Sequence, residues 1–365
     1  MKVSIITRHA ITNYGSLLQA YATQTAIEEL GHECEIVDYI RRDESYKEHE
    51  KTLLRRKIQW NNNPLKRFAY LALRQPESIF AGRRFEKERM KYLKLSQKFE
   101  TRESISANCP KADVYMTGSD QVWGPTEDGT YDSNYFLSFA GESKKIAYAA
   151  SFGHTDMNEE LYQYFKKLLA SYACIAVREK SAVDIINDMG YQASQVLDPT
   201  LLFDRHFWSK RASDIKKGKY ILVYQIHNDP QLSDYAEKVA KKKGLPLIRI
   251  SASFHQITRS GKFIWCPSIA DFLGYIKNAE LLITDSFHGT AFAINFNTPF
   301  VEVLPNNNTG TRNVSILSLT GLSDRILCSD NIGIEDKKID FEKVNNILEV
   351  EREKSKNILQ KMIVE

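Results

Sequence analysis

The chain of 365 residues has 42% hydrophobic and 26% charged residues, which is ordinary globular composition, and its length predicts two domains rather than one core. Its five cysteines are scattered, without a CxxC pair or a histidine at zinc-ligand spacing, which argues against a disulfide framework and against a structural metal. The net charge of +4 is unevenly distributed, because residues 41–100 carry 17 Lys and Arg against 8 Asp and Glu.

Targeting signals are not evident in the sequence. The amino-terminal segment lacks the long apolar run of a signal peptide, and no later stretch reaches the roughly 20 apolar residues needed to span a bilayer. Together with the scattered cysteines, this predicts a soluble protein in a reducing, cytoplasmic compartment. Peripheral contact with the inner face of a membrane stays open.

The first part of the chain alternates between short apolar runs and amphipathic segments. Residues 3–7 and 33–38 are runs typical of strands, and residues 16–30 between them have the spacing of an amphipathic helix that ends at Gly31. Such a strand-loop-helix-strand opening is typical of a parallel, doubly wound sheet. The same alternation resumes at residues 113–117 and continues to residue 202.

Residues 41–100 interrupt this alternation with basic and aromatic helical segments, broken at Pro76 and Gly82. We interpret them as a helical insertion in the amino-terminal domain. The basic side chains either form a solvated helix face or contact an anionic membrane surface or a lipid-linked diphosphate. No nucleic-acid-binding motif accompanies the charge, so nucleic acid is not an expected partner.

A second α/β alternation begins at the apolar run of residues 220–224. Further segments are strand-like at residues 247–250, 281–284 and 300–303, and helical at residues 231–243, 269–277 and 289–296. The expected fold class is therefore α/β, with two Rossmann-like, doubly wound domains. We place these domains at residues 1–208 and 209–335, followed by a carboxyl-terminal helix at residues 336–365.

Ligands of open α/β sheets bind beyond the carboxyl ends of the strands, in the loops that lead into helices. Polar and glycine residues are concentrated in such loops at residues 9–16, 117–124, 177–181 and 284–290. In the first loop, Gly15 permits a tight turn before a helix N-terminus that can bind an anion, although Asn13 or Ser16 also fits a simple helix cap. The loop lacks the GxGxxG pattern, so a dinucleotide is not implied.

The other three loops carry side chains suited to a sugar or an anion. Residues 117–124 place hydroxyl and carboxylate groups beside Trp123, which either binds and stacks on a sugar or packs in the core. Arg178 suits a phosphate or a carboxylate, although a simple ion pair with Glu179 is an open alternative. His288 lies near a positive helix end, which favours a neutral imidazole that accepts or relays a proton.

Ordered motifs run through these loops. They are Asn-Tyr-Gly-Ser at 13–16 with Gln-Ala-Tyr-Ala at 19–22, Gly-Ser-Asp-Gln-Val-Trp at 118–123, Tyr-Ala-Ala-Ser-Phe-Gly at 148–153, Val-Arg-Glu at 177–179 with Ser181, Leu-Asp-Pro-Thr-Leu-Leu at 197–202, and Thr-Asp-Ser-Phe-His-Gly at 284–289 ahead of Pro-Phe at 299–300. In this order they resemble the polysaccharide pyruvyl transferase family. The resemblance covers roughly residues 1–325 outside the insertion, and the ordered set is more specific than any one motif.

The resemblance implies two Rossmann-like domains arranged as in GT-B glycosyltransferases. It also implies transfer of a pyruvyl group from phosphoenolpyruvate to two hydroxyls of one sugar, which gives a cyclic pyruvate ketal. The sugar would belong to a precursor, lipid-linked or not, of a surface polysaccharide such as a capsule or an exopolysaccharide. Phosphoenolpyruvate is then a co-substrate, and neither a cofactor nor a metal is required.

By matching positions, the resemblance implies that His288 is the acid/base and that Arg178 holds the phosphate or carboxylate of the donor, helped by N–H groups around Gly289 and Thr290. The amino-terminal domain is expected to bind the acceptor sugar, and the carboxyl-terminal domain the phosphoenolpyruvate. The residues assigned to the acceptor are Asn13, Tyr14, Gly15, Gln19, Ser119, Asp120, Gln121 and Trp123.

One position departs from the family pattern, which has an arginine two residues before the histidine. Ser286 stands there and is assigned to the donor site. Arg312 is the candidate replacement for the missing charge, because it follows the next strand of the same sheet, and Arg259 and Lys262 are alternatives. The departure leaves open a non-catalytic carbohydrate-binding homologue, and the architecture leaves open a glycosyltransferase that uses a nucleotide sugar.

Overall fold

A computed structural model of the chain describes residues 1–153, 157–215, 218–305, 310–328 and 333–365. The chain divides into two compact units, one formed by Met1–Pro199 with Ser355–Glu365 and the other by Thr200–Lys354. This division comes before the boundary expected at residue 208. The last helix, expected to be a separate segment, is shared between the two units.

Parallel strands form the centre of the first unit. In its described part they are β1 (Lys2–Ile6), β2 (Glu33–Tyr39), β3 (Leu95–Phe99), β4 (Val114–Thr117), β5 (Lys144–Ala150), β6 (Cys174–Val177) and β7 (Ala193–Gln195). Among the described residues they make a seven-stranded sheet in the order β3-β2-β1-β4-β5-β6-β7. Val3 of β1 is aligned with Cys34 of β2 on one side and with Val114 of β4 on the other. The predicted doubly wound sheet is therefore confirmed.

Helices connect these strands. Those described in the first unit are α1 (Tyr14–Glu29), α2 (His49–Arg56), α3 (Ile58–Asn61), α4 (Pro64–Tyr92), α5 (Arg102–Ala107), α6 (Glu159–Leu169) and α7 (Lys180–Asp188). All four residues of β4 are buried, as expected for a parallel strand covered on both faces. Helix α1 is capped by Asn13, whose side-chain oxygen accepts hydrogen bonds from the N–H groups of Gly15 and Ser16.

The insertion differs from its prediction because α4 continues through Pro76 and Gly82. Hydrogen bonds from Gln75 and Ser78 to backbone carbonyls of the segment before α2 hold the helix on both sides of the proline. An added Cβ on Gly82 would come within 2.1 Å of the Tyr46 ring, so this glycine permits close packing rather than ending the helix.

The second unit repeats the pattern with a smaller parallel sheet. Its described strands are β8 (Ile221–Tyr224), β9 (Leu247–Ser251), β10 (Lys262–Trp265), β11 (Leu281–Thr284) and β12 (Phe300–Glu302), in the sheet order β10-β9-β8-β11-β12. Its described helices are α8 (Arg205–Ser209), α9 (Pro230–Lys243), α10 (Ile269–Lys277), α11 (Phe287–Phe296) and α12 (Thr311–Leu319), and the chain ends in α13 (Phe341–Val364). This order is also doubly wound, as predicted.

Several short elements did not follow from the sequence pattern. The strand β3 lies inside the segment predicted to be helical, and β7, β10, α5, α8 and α12 were not predicted. The three strands lie at sheet edges and mix exposed with half-buried residues, so their apolar alternation is weak. Among the described residues, no helix has the length and apolar character needed to cross a membrane.

Candidate active site

Polar side chains of the first unit meet where β1 and β4 end. The Gln19 amide donates to the Thr7 hydroxyl oxygen at 2.8 Å, and the Thr7 hydroxyl donates to the Ser119 carbonyl at 2.8 Å. The Ser119 hydroxyl in turn donates to the Asp198 carboxylate at 3.0 Å. The predicted polar loops of this unit therefore meet at the carboxyl edge of the sheet, as the position of parallel strand ends requires.

Arg178, predicted to bind the donor, is surrounded by carboxylates inside the first unit. Its guanidinium nitrogens lie 2.7 Å from Asp198 and 3.6 Å from both Asp120 and Glu179. Burial lowers the pKa of Arg178, but the attraction of these carboxylates more than offsets this effect and raises the pKa above its usual value. Three acidic groups around one cation repel an anionic donor, so these contacts favour a structural role for Arg178 over the predicted donor-binding role.

Asp120 has an uncommon backbone conformation, with a φ of +77°. Its carboxylate accepts hydrogen bonds from the Ser16 hydroxyl and, at 2.9 Å, from the Gln121 N–H. These contacts hold an aspartate in the left-handed region, which non-glycine residues seldom adopt. Strain of this kind is retained at positions that the surrounding structure specifies closely.

The other residues predicted to bind the acceptor differ in access. The Tyr14 ring is buried against Phe85, with ring centres 4.9 Å apart, and Gln19 is fully buried. Asn13 is half-buried beside the start of α1, and the half-buried Gln121 side chain lies over Gly153, where an added Cβ would come within 2.7 Å of its amide nitrogen. Asn13 and Gln121 thus keep partial access to a ligand.

Trp123 lies in the hydrophobic core. Its side chain is fully buried, stacked on Phe136 with ring centres 5.5 Å apart and in contact with Phe152 at 5.0 Å. A sugar cannot reach either face of this ring, so the prediction that Trp123 binds the acceptor is wrong and the core-packing alternative holds.

In the second unit, β11 leads directly into α11. Ser286 caps the helix, since its hydroxyl oxygen accepts a hydrogen bond from the Gly289 N–H at 3.2 Å and its carbonyl accepts one from the Thr290 N–H at 2.9 Å. These N–H groups are used inside the helix, so the prediction that they bind the donor is wrong. An added Cβ on Gly289 would come within 2.6 Å of the Thr284 hydroxyl, which gives this glycine a packing role.

His288 is the second residue of α11, with only 6% of its surface exposed. Its ring lies beside that of Phe287, with centres 5.1 Å apart. It lies in the first turn of α11, at the carboxyl edge of the sheet where ligands of such sheets bind, and an imidazole is a side chain that accepts or relays a proton.

His227, in the loop after β8, was not among the predicted site residues. Asp285 accepts hydrogen bonds from the backbone N–H groups of Ile226 (2.7 Å) and His227 (2.8 Å), and its carboxylate lies 3.2 Å from Nδ1 of the His227 ring. A carboxylate only accepts, so Nδ1 carries the proton and Nε2 is left as the basic nitrogen. The loop follows a predicted strand and leads into a helix, which is the signal that would have identified it.

Glu302, the last residue of β12, is a fully buried carboxyl in contact with the Thr290 hydroxyl of α11 and the Asn313 amide of α12. Burial raises its pKa from 4.5 to about 8, against the lowering effect of these hydrogen bonds. Glu302 therefore joins the first turns of two helices and is predominantly neutral at pH 7.

Arg312, the candidate replacement for the missing charge, lies beside Phe287 of α11. Its guanidinium carbon is 5.9 Å from the centre of the Phe287 ring, and Phe287 directly precedes His288. Lys262, an alternative, opens β10 and so lies at the amino edge of the parallel sheet, and Arg259 precedes it closely in the chain. Arg312 is thus better placed than either alternative.

Solved structures with a similar fold define the class of this protein. They include UDP-N-acetylglucosamine 2-epimerase from Rickettsia bellii (12% identity, covering 100% of this chain and 96% of that chain, TM-score 0.53), Arabidopsis thaliana UGT89C1 complexed with UDP-L-rhamnose (9%, 100% and 99%, 0.52), and MnaA from S. aureus with UDP (12%, 95% and 90%, 0.51). At these identities the similarity concerns the fold alone. The predicted fold class, two Rossmann-like domains as in GT-B enzymes, is confirmed.

The sequence also matches a family model. The model described as polysaccharide pyruvyl transferase matches residues 13–308, which is most of the chain. The chain therefore belongs to the polysaccharide pyruvyl transferase family, as the motifs indicated. This membership supports the predicted transferase class and the predicted link to polysaccharide biosynthesis. No curated protein sequence matches the chain significantly.

Proposed function

We propose that the protein transfers the pyruvyl group of phosphoenolpyruvate to two hydroxyls of one sugar in a surface-polysaccharide precursor. The product is a cyclic pyruvate ketal, and phosphate is released. The observation that carries the proposal is the family match over residues 13–308, together with an imidazole in the first turn of α11, at the carboxyl edge where ligands of such sheets bind.

The reaction needs one protonation and two deprotonations. Protonation of the methylene carbon of phosphoenolpyruvate makes C2 electrophilic, and the first sugar hydroxyl then adds to C2 and loses its proton. The bond from C2 to the phosphate oxygen breaks, and the second hydroxyl closes the ring. Of the two hydroxyl protons, one replaces the proton used on the methylene carbon and the other leaves with hydrogen phosphate.

His288 is proposed as the group that carries one of these protons. An imidazole takes a proton from a sugar hydroxyl as a base and returns it as an acid, and His288 lies in the first turn of α11 with 6% of its surface exposed. General acid–base catalysis of this kind contributes on the order of 100-fold to 10,000-fold in rate.

His227 is proposed as a second proton carrier. Its Nδ1 is oriented by Asp285, which is the arrangement that leaves Nε2 able to act as a base. Its side chain is 36% exposed, so a substrate can reach it. His227 and His288 follow β8 and β11, which are neighbouring strands of one sheet.

The donor carries a phosphate and a carboxylate, so its site needs positive charge. Arg312 is proposed to supply it, since its guanidinium lies against Phe287 and its charge suits either anion. The acceptor is proposed to contact the first unit through Asn13 and Gln121, which are half-buried polar residues at its carboxyl edge.

Ligand-induced stabilisation tests the donor. Phosphoenolpyruvate should raise the unfolding temperature of the protein in a concentration-dependent way, whereas UDP-sugars and GDP-sugars should not, because a ligand stabilises the fold by binding the native state. Substituting Arg312→Met should remove the effect. Stabilisation by a nucleotide sugar instead would favour the glycosyltransferase alternative.

Product analysis tests the transfer. Incubation with phosphoenolpyruvate and polysaccharide precursors should give stoichiometric phosphate and a sugar carrying a pyruvate ketal, detected by mass spectrometry. Binding of a glycan without binding or turnover of phosphoenolpyruvate would favour the non-catalytic homologue and contradict the proposal.

A further inference from the structure

The insertion helix α4 turns an apolar face to solvent. Leu65 is 79% exposed, Phe68 and Leu73 are each 73% exposed, and Phe80 is 48% exposed. At about 100° per residue, these side chains share one side of the helix with three smaller exposed residues. This surface, called the α4 apolar face, consists of Leu65, Phe68, Ala69, Ala72, Leu73, Pro76 and Phe80.

The opposite side of α4 holds the helix on the first unit. The Tyr70 hydroxyl donates to Glu50 at 2.8 Å, and the Phe85 ring packs on Tyr14. In the last turn, the Arg89 guanidinium donates to Asp38 at 2.9 Å. A helix normally buries its apolar side. Here the docked side is partly polar and the α4 apolar face is left outside, which marks it as an interaction surface.

Positive charge predominates around this face. From Lys57 to Pro76 the sequence has no acidic residue but contains Lys57, Lys66, Arg67 and Arg74. Farther along the helix, the exposed Arg83 and Lys87 lie on the same side as the apolar face, and Glu86 lies at its edge. Just before α4, Lys57 and Trp60 lie against the Tyr70 ring, on the docked side of the helix.

We propose that the α4 apolar face docks on an anionic membrane surface. The helix lies in the plane of the headgroups, its phenylalanines and leucines enter the acyl boundary, and its lysines and arginines contact lipid phosphates. The surface would bring the first unit to precursors that are anchored in the membrane.

The charges favour a membrane over a second copy of this chain. Two apolar faces that pair would bring their own basic residues together without acidic partners, because no acidic residue lies among residues 57–76. An anionic bilayer instead matches both the apolar stripe and its basic flanks.

Vesicle co-sedimentation tests this proposal without reference to catalysis. The full chain should sediment with vesicles of phosphatidylcholine and phosphatidylglycerol, more weakly at high salt, and poorly with phosphatidylcholine alone. The combined variant Leu65→Gln, Phe68→Gln and Leu73→Gln should lower binding at least roughly tenfold. Its unfolding temperature should not change, since these side chains are exposed and glutamine favours helix.

The matched control replaces three exposed hydrophobic side chains outside α4. The combined variant Tyr164→Gln, Ile257→Gln and Val350→Gln should bind like the unsubstituted protein. A second variant, Lys66→Gln with Arg67→Gln, should weaken binding to anionic vesicles. Equal binding by the α4 variant, or no binding by the unsubstituted protein, would overturn the proposal. So would a change from dimer to monomer in the α4 variant without any effect on vesicle binding.

Discussion

The two sheets end in carboxyl edges of different chemistry. In the first unit, Arg178 is enclosed by three carboxylates, each of which also accepts a hydrogen bond from a neighbouring serine, so the edge is a self-paired, net acidic network. In the second unit, the edge carries His227 with its orienting carboxylate, His288 at a helix start, and Arg312 nearby. The carboxyl edge of the sheet is thus a paired and rigid network in the first unit. In the second unit the corresponding edge has side chains suited to bind an anion and to transfer protons.

The largest expected effect comes from breaking the acidic network of the first unit. Arg178→Met should lower the free energy of unfolding by about 3–5 kcal/mol, because Asp198 and its neighbours would stay buried without a cation. Denaturant unfolding measures this loss. Arg56→Met, which removes an exposed arginine paired with Glu127, should cost about 0–1 kcal/mol. If Arg178 binds the donor instead, its variant should keep its stability and raise KM for phosphoenolpyruvate.

The next largest effect is a loss of activity when the pair of His227 and Asp285 in the second unit is broken. His227→Gln keeps a hydrogen-bonding side chain next to Asp285 but removes the basic nitrogen, so kcat should fall roughly 100-fold and one limb of the pH–rate profile should disappear. His206→Gln, at an exposed position of α8, is the matched control and should leave both unchanged. A full pH profile in the His227 variant would show that this imidazole does not carry a proton in the reaction.

A further effect concerns the pH dependence of stability that is due to Glu302, the buried carboxyl at the end of β12. The pKa of Glu302 is raised from 4.5 to about 8, so the folded state holds a proton that the unfolded state has lost. Its contribution to stability is complete below pH 4.5 and is lost as pH rises towards 8, with a slope of up to about 1.4 kcal/mol per pH unit. Glu302→Gln should remove this slope from unfolding curves measured across that range, and an unchanged slope would mean that Glu302 is ionised in the fold.

The smallest effect concerns the cap of α11. Ser286→Ala should cost about 1 kcal/mol in unfolding free energy, because the Gly289 N–H loses its acceptor. Ser286→Asn keeps an acceptor and should retain most of the stability. A loss of phosphoenolpyruvate binding in both variants, without loss of stability, would instead assign Ser286 to the donor site.

The fold was largely predictable because strand and helix periods are local properties of the sequence. The parallel strands of both sheets, except the edge strands β3, β7 and β10, follow from apolar runs. The predictions that were wrong concern features that depend on contacts between residues distant in the sequence. Gly82 was predicted to break the helix, but in the fold it allows Tyr46 to pack closely on α4. The continuation through Pro76 likewise depends on hydrogen bonds to a segment far away in the sequence.

The site was predictable only in part for the same reason. His288 and Arg312 were expected near one another, and the structure brings both against Phe287. The burial of Trp123 depends on residues of several other elements, so its motif gave no sign of it. His227 was missed because one histidine in a short loop carries little signal until Asp285, contributed by a different loop, is placed against it.

The role of His288 is best tested by comparing His288→Ala with His206→Ala in an assay of phosphate release from phosphoenolpyruvate with a polysaccharide-precursor acceptor. The His288 variant should fold normally but lose on the order of 1,000-fold in kcat, while the exposed His206 variant should keep full activity. Undiminished turnover in the His288 variant would contradict the role assigned to the second edge.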